Sequence, residues 1–124
     1  MDDRNRSDAD VYALFERGRS MLQRGHPHQA ALLLAKAKLL EPEKASIREE
    51  LGRALFMAGR PTRARHEFTK AVHINPADDY AHFALAVACE RTGQRTRALA
   101  HVKLALAMRP GVADYEQVRE RLSA

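Results

Sequence analysis

The histidines and the cysteine are the side chains of this 124-residue chain that could ligate a metal ion or act as a base or nucleophile. Metal sites bring several such groups together through short spacings, such as H-E-x-x-H on one helix. No carboxylate or cysteine accompanies the histidines at a ligand interval. The six histidines are His26 and His28 on either side of a proline, His66 and His73 on the polar side of one predicted helix, and His82 and His101 on two different helices. We therefore expect no metal site and no catalytic histidine.

Cys89 and the glycines also lack the setting that chemistry requires. Cys89 occupies the same place in a repeated pattern as Met21 and Leu55, so we expect a buried and unreactive thiol. A single cysteine cannot form an internal disulfide. The glycines are spaced as turns rather than clustered as in a phosphate-binding loop. We therefore expect no cofactor, no catalytic residue and no enzymatic activity.

The sequence repeats itself with a period of 34 residues. The repeated positions are held by Pro42, Pro76 and Pro110, by Gly25, Gly59 and Gly93, by Ala30, Ala64 and Ala98, by Ala37, Ala71 and Ala105, and by the larger apolar residues Leu34, Phe68 and Val102. A glycine releases the backbone at a turn, and alanines allow two helices to approach closely. Each repeat is therefore predicted to be a helical hairpin. One hairpin cannot bury its own apolar face, so we expect the hairpins to stack.

This pattern resembles the tetratricopeptide repeat family, whose signature is small and large apolar residues at fixed places plus a closing proline. The resemblance implies an all-α fold, a right-handed superhelical solenoid of three antiparallel helix hairpins followed by a capping helix, seven helices in total. The predicted boundaries are a flexible N-terminal arm at residues 1–10, three repeats at 11–44, 45–78 and 79–112, and a C-terminal capping helix at 113–124.

Within the repeats, the apolar spacing predicts where the helices begin and end. Asp8 or Asp10 is expected to cap the first helix. Asn75 is expected to cap the fifth helix, with Pro76 in its first turn. The predicted helices lie near residues 10–23, 28–40, 43–58, 61–74, 77–92 and 95–108, with a last one over 112–123.

Length and composition indicate one ordinary helical domain, since 45% of the residues are apolar and 30% are charged. No run approaches the roughly 20 apolar residues that span a bilayer. Residues 1–10 are polar and do not read as a signal peptide. We therefore expect a cytoplasmic protein that does not bind a membrane. The high alanine and arginine content suggests a GC-rich bacterial source.

The net charge of +5 and the isoelectric point of about 9.8 would suit an acidic partner, an acidic lipid surface or nucleic acid. The charges are scattered rather than gathered in one block, so a solvated surface explains them, and we do not expect nucleic-acid binding. The nucleic-acid alternative would use a convex basic face made of Arg60, Arg63, Arg65, Lys70, Arg91, Arg95, Arg97, His101 and Lys103.

The aromatic residues carry the main functional prediction. In the tetratricopeptide family the first helix of each repeat lines a concave face, and most aromatic residues of this chain fall on or beside that stripe. The predicted groove comprises Tyr12, Phe15, Arg19 and Leu22, then Glu49, Arg53, Phe56 and Met57, then Tyr80, Phe83, Val87 and Glu90. Aromatic anchors with flanking arginines suit a peptide ligand. Ordinary packing between helices is the alternative explanation for some of these rings.

The resemblance therefore implies an adaptor that binds a peptide of a protein partner. Some co-chaperones of the family clamp the C-terminal carboxylate of chaperone tails with lysine, arginine and asparagine side chains. The matching places here hold Phe15, Arg19, Glu50, Tyr80 and Ala84. Because only one of these is basic, we do not expect that class of partner.

A homodimer is the alternative, with a second copy covering the groove or an apolar patch at Leu32 and Leu33. Local packing of these two leucines against the N-terminal arm would remove the patch.

Overall fold

The computed structural model describes residues 3–124, and side chains from residue 8 onward. Within that range the chain forms seven helices and no strand, which confirms the predicted all-α fold. Consecutive helices pair into three hairpins, the hairpins stack side by side, and the last helix packs on the third hairpin. The helices are α1 (Asp3–Gln23), α2 (Pro27–Leu40), α3 (Ala45–Met57), α4 (Pro61–Ile74), α5 (Asp79–Arg91), α6 (Arg95–Met108) and α7 (Ala113–Ser123).

The start of the first helix differs from the prediction. Helix α1 begins at Asp3 rather than near residue 10, so the described part of the predicted arm at residues 1–10 is helical. Residues 1 and 2 lie outside the described residues. Asp8 and Asp10 lie within the helix and do not cap it. Extending a helix that is already nucleated by packing at Val11 costs little, which is why the polar segment continues it.

The start of α5 also differs from the prediction. The carboxylate of Asp78 accepts a hydrogen bond of 3.3 Å from the amide of Ala81, so Asp78 is the N-cap. Asn75 instead ends α4, and Pro76 lies in the connection between the two helices. The prediction of an Asn75 cap with Pro76 in the first turn is therefore wrong. An aspartate nearer the helix supplies the acceptor.

Turns within the hairpins follow the glycine period. Gly25, Gly59 and Gly93 have φ angles of 83°, 80° and 79°, a conformation that side chains with a Cβ rarely adopt. In the second hairpin the amide of Arg60 donates to the carbonyl of Leu55 at 2.9 Å, which closes the end of α3. The glycines therefore act as the helix C-terminal signals that the sequence indicates.

The core follows the alternation of small and large residues. The repeated alanines are fully buried, and Leu34, Phe68 and Val102 fill the space between them. Gly52 faces the ring of Phe68 so closely that a Cβ at this position would lie 2.5 Å from its Cε1 atom. The missing side chain at Gly52 is therefore what admits the Phe68 ring between α3 and α4.

Candidate functional site

A pocket of about 160 Å³ opens between α3 and α5 on the face predicted to be concave. Six predicted groove residues line it, and Phe68 and Ala84 complete it. The sequence assigns Phe68 to the core alone. Its bulk relative to Leu34 and Val102 at the equivalent positions is the signal that could have indicated a second role. The full lining is Arg53, Phe56, Met57, Phe68, Tyr80, Phe83, Ala84 and Val87.

The remaining predicted residues lie in two neighbouring depressions. Tyr12 and Phe15 line one of about 310 Å³ between α1 and the start of α3. Arg19 and Leu22 line one of about 100 Å³ that also includes Arg53 and Met57. Arg53 and Met57 border the α3–α5 pocket as well, so this depression and that pocket are adjacent. Glu49 and Glu90 are not among the residues that line these three depressions.

Burial separates the groove residues into accessible anchors and supporting residues. Tyr12, Met57 and Tyr80 are exposed, with exposed fractions of 68%, 54% and 40%. Phe15, Phe56 and Phe83 are partly buried against the core, in line with the packing alternative. Leu22 is only 5% exposed and belongs to the hydrophobic core, although it borders the depression beside Arg19. Its side chain therefore serves the core first and offers a ligand little surface.

Helix α7 supports the aromatic wall of the pocket. The Phe83 ring lies 4.7 Å from the Tyr115 ring and 6.5 Å from the Tyr80 ring, measured between centroids. The Tyr115 hydroxyl donates a hydrogen bond of 2.6 Å to Asp79. Burial, followed by this carboxylate, raises the pKa of Tyr115, so the hydroxyl stays protonated. The pocket wall is therefore held from behind by a hydrogen-bonded ring.

Most charges on this face have partners within the chain. The Arg53 guanidinium lies 3.2 Å from the Glu50 carboxylate. The Arg121 guanidinium on α7 donates two hydrogen bonds to Glu90, at 2.6 and 2.8 Å. These hydrogen bonds lower the pKa of Glu90. Glu90 therefore attaches α7 to α5.

Two arginines contact aromatic rings of the predicted groove, namely Arg19 and Arg91, although the sequence assigns Arg91 to the convex basic face. The Arg19 guanidinium carbon lies 5.6 Å from the centre of the Phe15 ring, and that of Arg91 lies 5.1 Å from the Phe56 ring. Arg19 further approaches Glu16 at 3.5 Å. Such contacts orient the guanidinium groups along the face.

Glu49 carries an unusual carboxyl group. One of its oxygens, Oε1, is buried and has no hydrogen-bond partner among the described residues. Burial, followed by a hydrogen bond to Asp78 and the charge of Asp78, raises the pKa of Glu49 from 4.5 to about 8. The side chain is therefore mainly neutral at pH 7. Together with the paired arginines, this leaves the face with little net charge.

The arginines of the proposed convex basic face serve contacts between helices. Arg65 donates to the Thr92 hydroxyl at 2.8 Å, and Arg97 donates to the Thr69 hydroxyl at 3.0 Å. Arg95 donates to the backbone carbonyls of Arg121 in α7 and of Ala124, which follows it. Part of the basic set therefore joins neighbouring hairpins rather than forming a free patch.

The two leucines of the predicted apolar patch separate in the structure. Leu32 is 68% exposed, whereas Leu33 is partly buried. Local packing therefore explains Leu33 but leaves Leu32 accessible to solvent. Leu39 on the same helix is also exposed.

Two histidines that the sequence placed on separate helices meet in the third hairpin. The Nδ1 atoms of His82 and His101 lie 3.0 Å apart. Their numbers exceed those of Arg48 and Glu67 by one repeat period, which is the signal that could have paired them. Among the described residues, no three histidine, cysteine or carboxylate side chains cluster at a metal-binding distance. Nor is any helix of the described chain long and apolar enough to cross a bilayer.

Two family models describe this sequence. One model of the tetratricopeptide repeat matches residues 15–79, and a second matches residues 55–122. Each covers more than half of the chain, and together they cover nearly all of it. A search of curated proteins finds no match.

Solved structures with the same fold include peptide complexes. The first tetratricopeptide domain of Spaghetti (RPAP3), bound to the HSP90 peptide SRMEEVD, aligns with a TM-score of 0.89 and 16% identity, over 93% of this chain and 91% of that chain. The second such domain of human RPAP3, in complex with the HSP70 peptide SGPTIEEVD, aligns with a TM-score of 0.90 and 14% identity, over 95% and 98%. The Yersinia enterocolitica type III secretion chaperone SycD, in complex with a peptide of the translocator YopD, aligns with a TM-score of 0.78 and 16% identity, over 91% and 86%. At these identities the likeness establishes the fold.

Proposed function

Since the chain belongs to the tetratricopeptide repeat family, we propose that it is a non-enzymatic adaptor that binds a peptide segment of a protein partner along the face of α1, α3 and α5. The observation that carries this proposal is the α3–α5 pocket, whose lining is mainly apolar and aromatic. Its volume of about 160 Å³ lies below the roughly 300 Å³ at which pockets for small molecules begin. A single large side chain of a peptide suits that volume better than a cofactor does.

The charges of the face point to a peptide with apolar anchors. Arg53 is paired with Glu50, and Glu49 is neutral at pH 7 because of its raised pKa. Arg19 contacts the Phe15 ring and Glu16. An acidic peptide would therefore have to displace existing partners. We propose that an aliphatic or aromatic side chain enters the pocket and that the arginines bind backbone carbonyls of the peptide.

The structural relatives support the peptide class without naming the partner. The RPAP3 domains and SycD hold peptides in their complexes, and the same fold is present here. The RPAP3 ligands SRMEEVD and SGPTIEEVD are acidic at their C-terminal ends. The absence of a basic clamp at the matching places makes such a tail a poor ligand for this face. A single peptide site of this kind is expected to bind in the micromolar range, at about −8 kcal/mol.

The test is a comparison of partner capture by wild-type protein and groove variants. A Phe15→Ala/Tyr80→Ala/Phe83→Ala variant is expected to lose partners from a lysate of the source cell that wild type retains. Because Phe83 contacts Tyr115, this variant requires a check of helicity by circular dichroism. A milder Met57→Ala/Tyr80→Ala variant leaves the Phe83–Tyr115 contact intact and truncates two side chains that are 54% and 40% exposed, so it should perturb stability less.

A matched control removes apolar groups from the opposite face. Leu32→Ala/Leu39→Ala truncates two exposed leucines of α2 and should leave capture unchanged. For any captured partner, the affinity of the Met57→Ala/Tyr80→Ala variant should fall at least tenfold, which corresponds to about 1.4 kcal/mol. Equal binding by wild type and both folded groove variants would contradict the groove assignment.

One observation favours a second copy as the alternative occupant. Leu32, Leu39 and Leu40 are exposed on one helix, with Leu39 at 80%. In this alternative, the second copy covers the leucine face of α2. Sedimentation equilibrium of wild type and Leu32→Ala/Leu39→Ala would show a dimer that the variant weakens. A monomer at high protein concentration would exclude it.

A further inference from the structure

One pair of positions recurs in the register of all three hairpins, and in the second and third hairpins its side chains contact each other. The first position lies on the first helix of each repeat and the second lies on the second helix, 19 positions later in the chain. The pairs are Leu14 and Leu33 in the first hairpin, Arg48 and Glu67 in the second, and His82 and His101 in the third. The same structural place is therefore filled by an apolar pair, an ion pair and an imidazole pair.

The ion pair shows what this place does structurally. Arg48 donates through Nη1 to both carboxylate oxygens of Glu67, at 3.2 and 3.1 Å, and through Nε to the carbonyl of Pro42 at 3.0 Å. Lys38 on α2 donates a further hydrogen bond of 2.8 Å to Glu67. Arg48 thus bonds both to α4 and to the connection between α2 and α3, which contains Pro42.

The imidazole pair makes the same two contacts. The Nε2 atom of His82 lies 2.8 Å from the carbonyl of Pro76, the counterpart of Pro42. A carbonyl only accepts, so Nε2 carries the hydrogen and Nδ1 of neutral His82 is an acceptor. Nδ1 of His101 must then donate across the 3.0 Å that separates the two Nδ1 atoms. The ring centroids are 5.3 Å apart and the planes differ by 23°, so the rings meet edge to edge.

The two polar pairs differ in how they respond to protons. Arginine and a salt-bridged glutamate keep their charges across the physiological range, whereas imidazoles gain charge as the pH falls below about 6.5. One extra proton can reside on Nε2 of His101, which still donates through Nδ1. A second proton must go to Nδ1 of His82, and two N–H groups then face each other. The hydrogen bond between α5 and α6 is lost at that point.

The surroundings oppose protonation as well. Burial, followed by the charges of His82 and Arg97, lowers the pKa of His101. Arg97 is one turn away on α6, and no carboxylate is paired with the imidazoles among the described residues. The residue one repeat after Lys38, which binds Glu67 in the second hairpin, is Val72 on α4. Val72 is buried and uncharged, so α4 places no second charge beside the imidazoles at this position. The residue one repeat after His82 is Glu116 on α7, and its side chain is exposed to solvent.

The carboxylates at the start of α5 are engaged elsewhere. Asp78 accepts from the amide of Ala81, and its side chain adjoins Glu49. Asp79 accepts from the Tyr115 hydroxyl and lies 3.5 Å from the Arg109 guanidinium. Neither carboxylate is bonded to the imidazole pair, so a second proton there lacks a compensating partner.

We propose that the His82–His101 pair makes the third hairpin acid-sensitive and that its loss loosens α5, the helix that bears Tyr80 and Phe83 of the pocket. The contact to Pro76 links the pair to the α4–α5 connection, and the Nδ1 contact links α5 to α6. Proton binding therefore acts on one wall of the α3–α5 pocket. The consequence for peptide affinity rests on the proposed function, whereas the consequence for stability does not.

The direction of the pH effect follows from the lowered pKa of His101. A histidine that is harder to protonate in the folded chain than in the unfolded chain stabilises the fold fully above the unfolded value of about 6.5. That stability is lost as the pH falls below this value, because the unfolded chain then binds more protons. The third hairpin should therefore weaken between about pH 7 and pH 5.

The test exchanges the pairs between hairpins in the full chain. His82→Arg/His101→Glu installs the pair of the second hairpin, and His82→Leu/His101→Leu installs the apolar residues of the first. Thermal unfolding is followed by circular dichroism at about pH 7.5 and about pH 5. Between these values the wild-type midpoint should fall at least about 4 °C further than that of the leucine variant, a shift typical of one lost hydrogen bond in a domain of this size. The Arg/Glu variant serves as a second non-titrating reference.

The reverse exchange guards against a variant that merely folds poorly. Arg48→His/Glu67→His places a second imidazole pair in the middle hairpin and should increase the fall in midpoint beyond that of wild type. The histidines outside the pair, and Glu49, are unchanged in every variant, so their titration cancels. An equal pH dependence of wild type and the leucine variant would overturn the proposal.

A binding measurement separates this proposal from the proposed function. For a captured groove partner, wild-type affinity should fall between about pH 7.5 and about pH 5 relative to that of the leucine variant. If stability responds to pH as expected but this affinity ratio does not change, the proposed coupling between the histidine pair and the pocket is wrong. The groove assignment is tested separately, by the groove variants described above.

Discussion

Replacing Glu49 with glutamine should stabilise the protein at neutral and alkaline pH. Glu49 has a raised pKa of about 8 against an ordinary value of 4.5, because its carboxyl group is buried beside Asp78. Glutamine keeps the shape of the neutral carboxyl group, and its amide can donate to Asp78. It cannot ionise in the unfolded chain, so the variant avoids the free energy that wild type spends in holding a carboxyl group neutral.

The size of the effect follows from the shift in pKa. Each pKa unit corresponds to about 1.4 kcal/mol, so at about pH 7.5 the neutral carboxyl group costs at most about 4 kcal/mol. The Glu49 side chain is only partly buried, and solvent screening reduces the difference. We therefore expect Glu49→Gln to raise the free energy of unfolding by about 1–2 kcal/mol at this pH.

The sign of the pH dependence is specific to a raised pKa. The contribution of Glu49 to stability is fully present below pH 4.5 and is lost as the pH rises through about 8. The stability difference between Glu49→Gln and wild type should thus be near zero at acid pH and grow toward alkaline pH. Urea unfolding, followed by circular dichroism across this range, measures the difference directly.

A neighbouring glutamate provides the matched control. Glu50 on the same helix forms an exposed pair with Arg53, so Glu50→Gln should lose at most about 0.5 kcal/mol. Its stability relative to wild type should change far less with pH, because the charge of Glu50 is only the smallest cause of the raised pKa of Glu49. If Glu49→Gln were less stable than wild type at about pH 7.5, the carboxylate of Glu49 would be ionised in the folded chain and the reasoning from burial would be refuted.

Two further substitutions test the packing and the buried ion pair by urea unfolding. Gly52→Ala would place a Cβ 2.5 Å from the Phe68 ring and should destabilise the fold by about 1–3 kcal/mol, since the ring would have to leave its packed position between α3 and α4. A stability equal to or above wild type, as the helix propensity of alanine alone would predict, would contradict the close contact. Glu67→Ala should lower the free energy of unfolding by about 3–5 kcal/mol, because it leaves Arg48 buried without a carboxylate. Arg48→Leu/Glu67→Leu removes both charges and should lower it less. A larger loss in the double variant would argue that the ion pair itself stabilises the hairpin.

The helical hairpins are determined by residues that act locally. Gly25, Gly59 and Gly93 end helices because they adopt a positive φ without strain, and this preference belongs to each residue alone. The repeated alanines predict close helix contacts for a similar reason, since a small side chain permits approach whatever the partner is. The 34-residue period of these glycines and alanines is therefore sufficient to predict the stacked helical hairpins. The exact helix starts were less certain, as Asp3 and Asp78 show, because capping depends on which acceptor reaches a free amide.

The lining of the α3–α5 pocket was predictable in outline because helical spacing defines one face of each first helix. Met57, Tyr80 and Phe83 do line one pocket, as that spacing indicates. The tertiary structure decided how each residue of the stripe is used. Leu22 is buried in the hydrophobic core, and Glu90 is paired with Arg121 from a distant helix. Such contacts join residues far apart in the chain, and nothing in the local sequence around Glu90 encodes them.

The charge states were decided by the tertiary structure alone. By sequence, Glu49 is an ordinary charged member of the predicted groove, yet packing beside Asp78 removes enough solvent to keep it mainly neutral at pH 7. His82 and His101 gain their tautomers and their acid sensitivity only because the hairpin brings two Nδ1 atoms within 3.0 Å. The sequence determined which helices form and how they stack, because those preferences are local and periodic. The structure determined which side chains share one desolvated place, because desolvation and hydrogen bonding depend on neighbours that only the folded chain brings together.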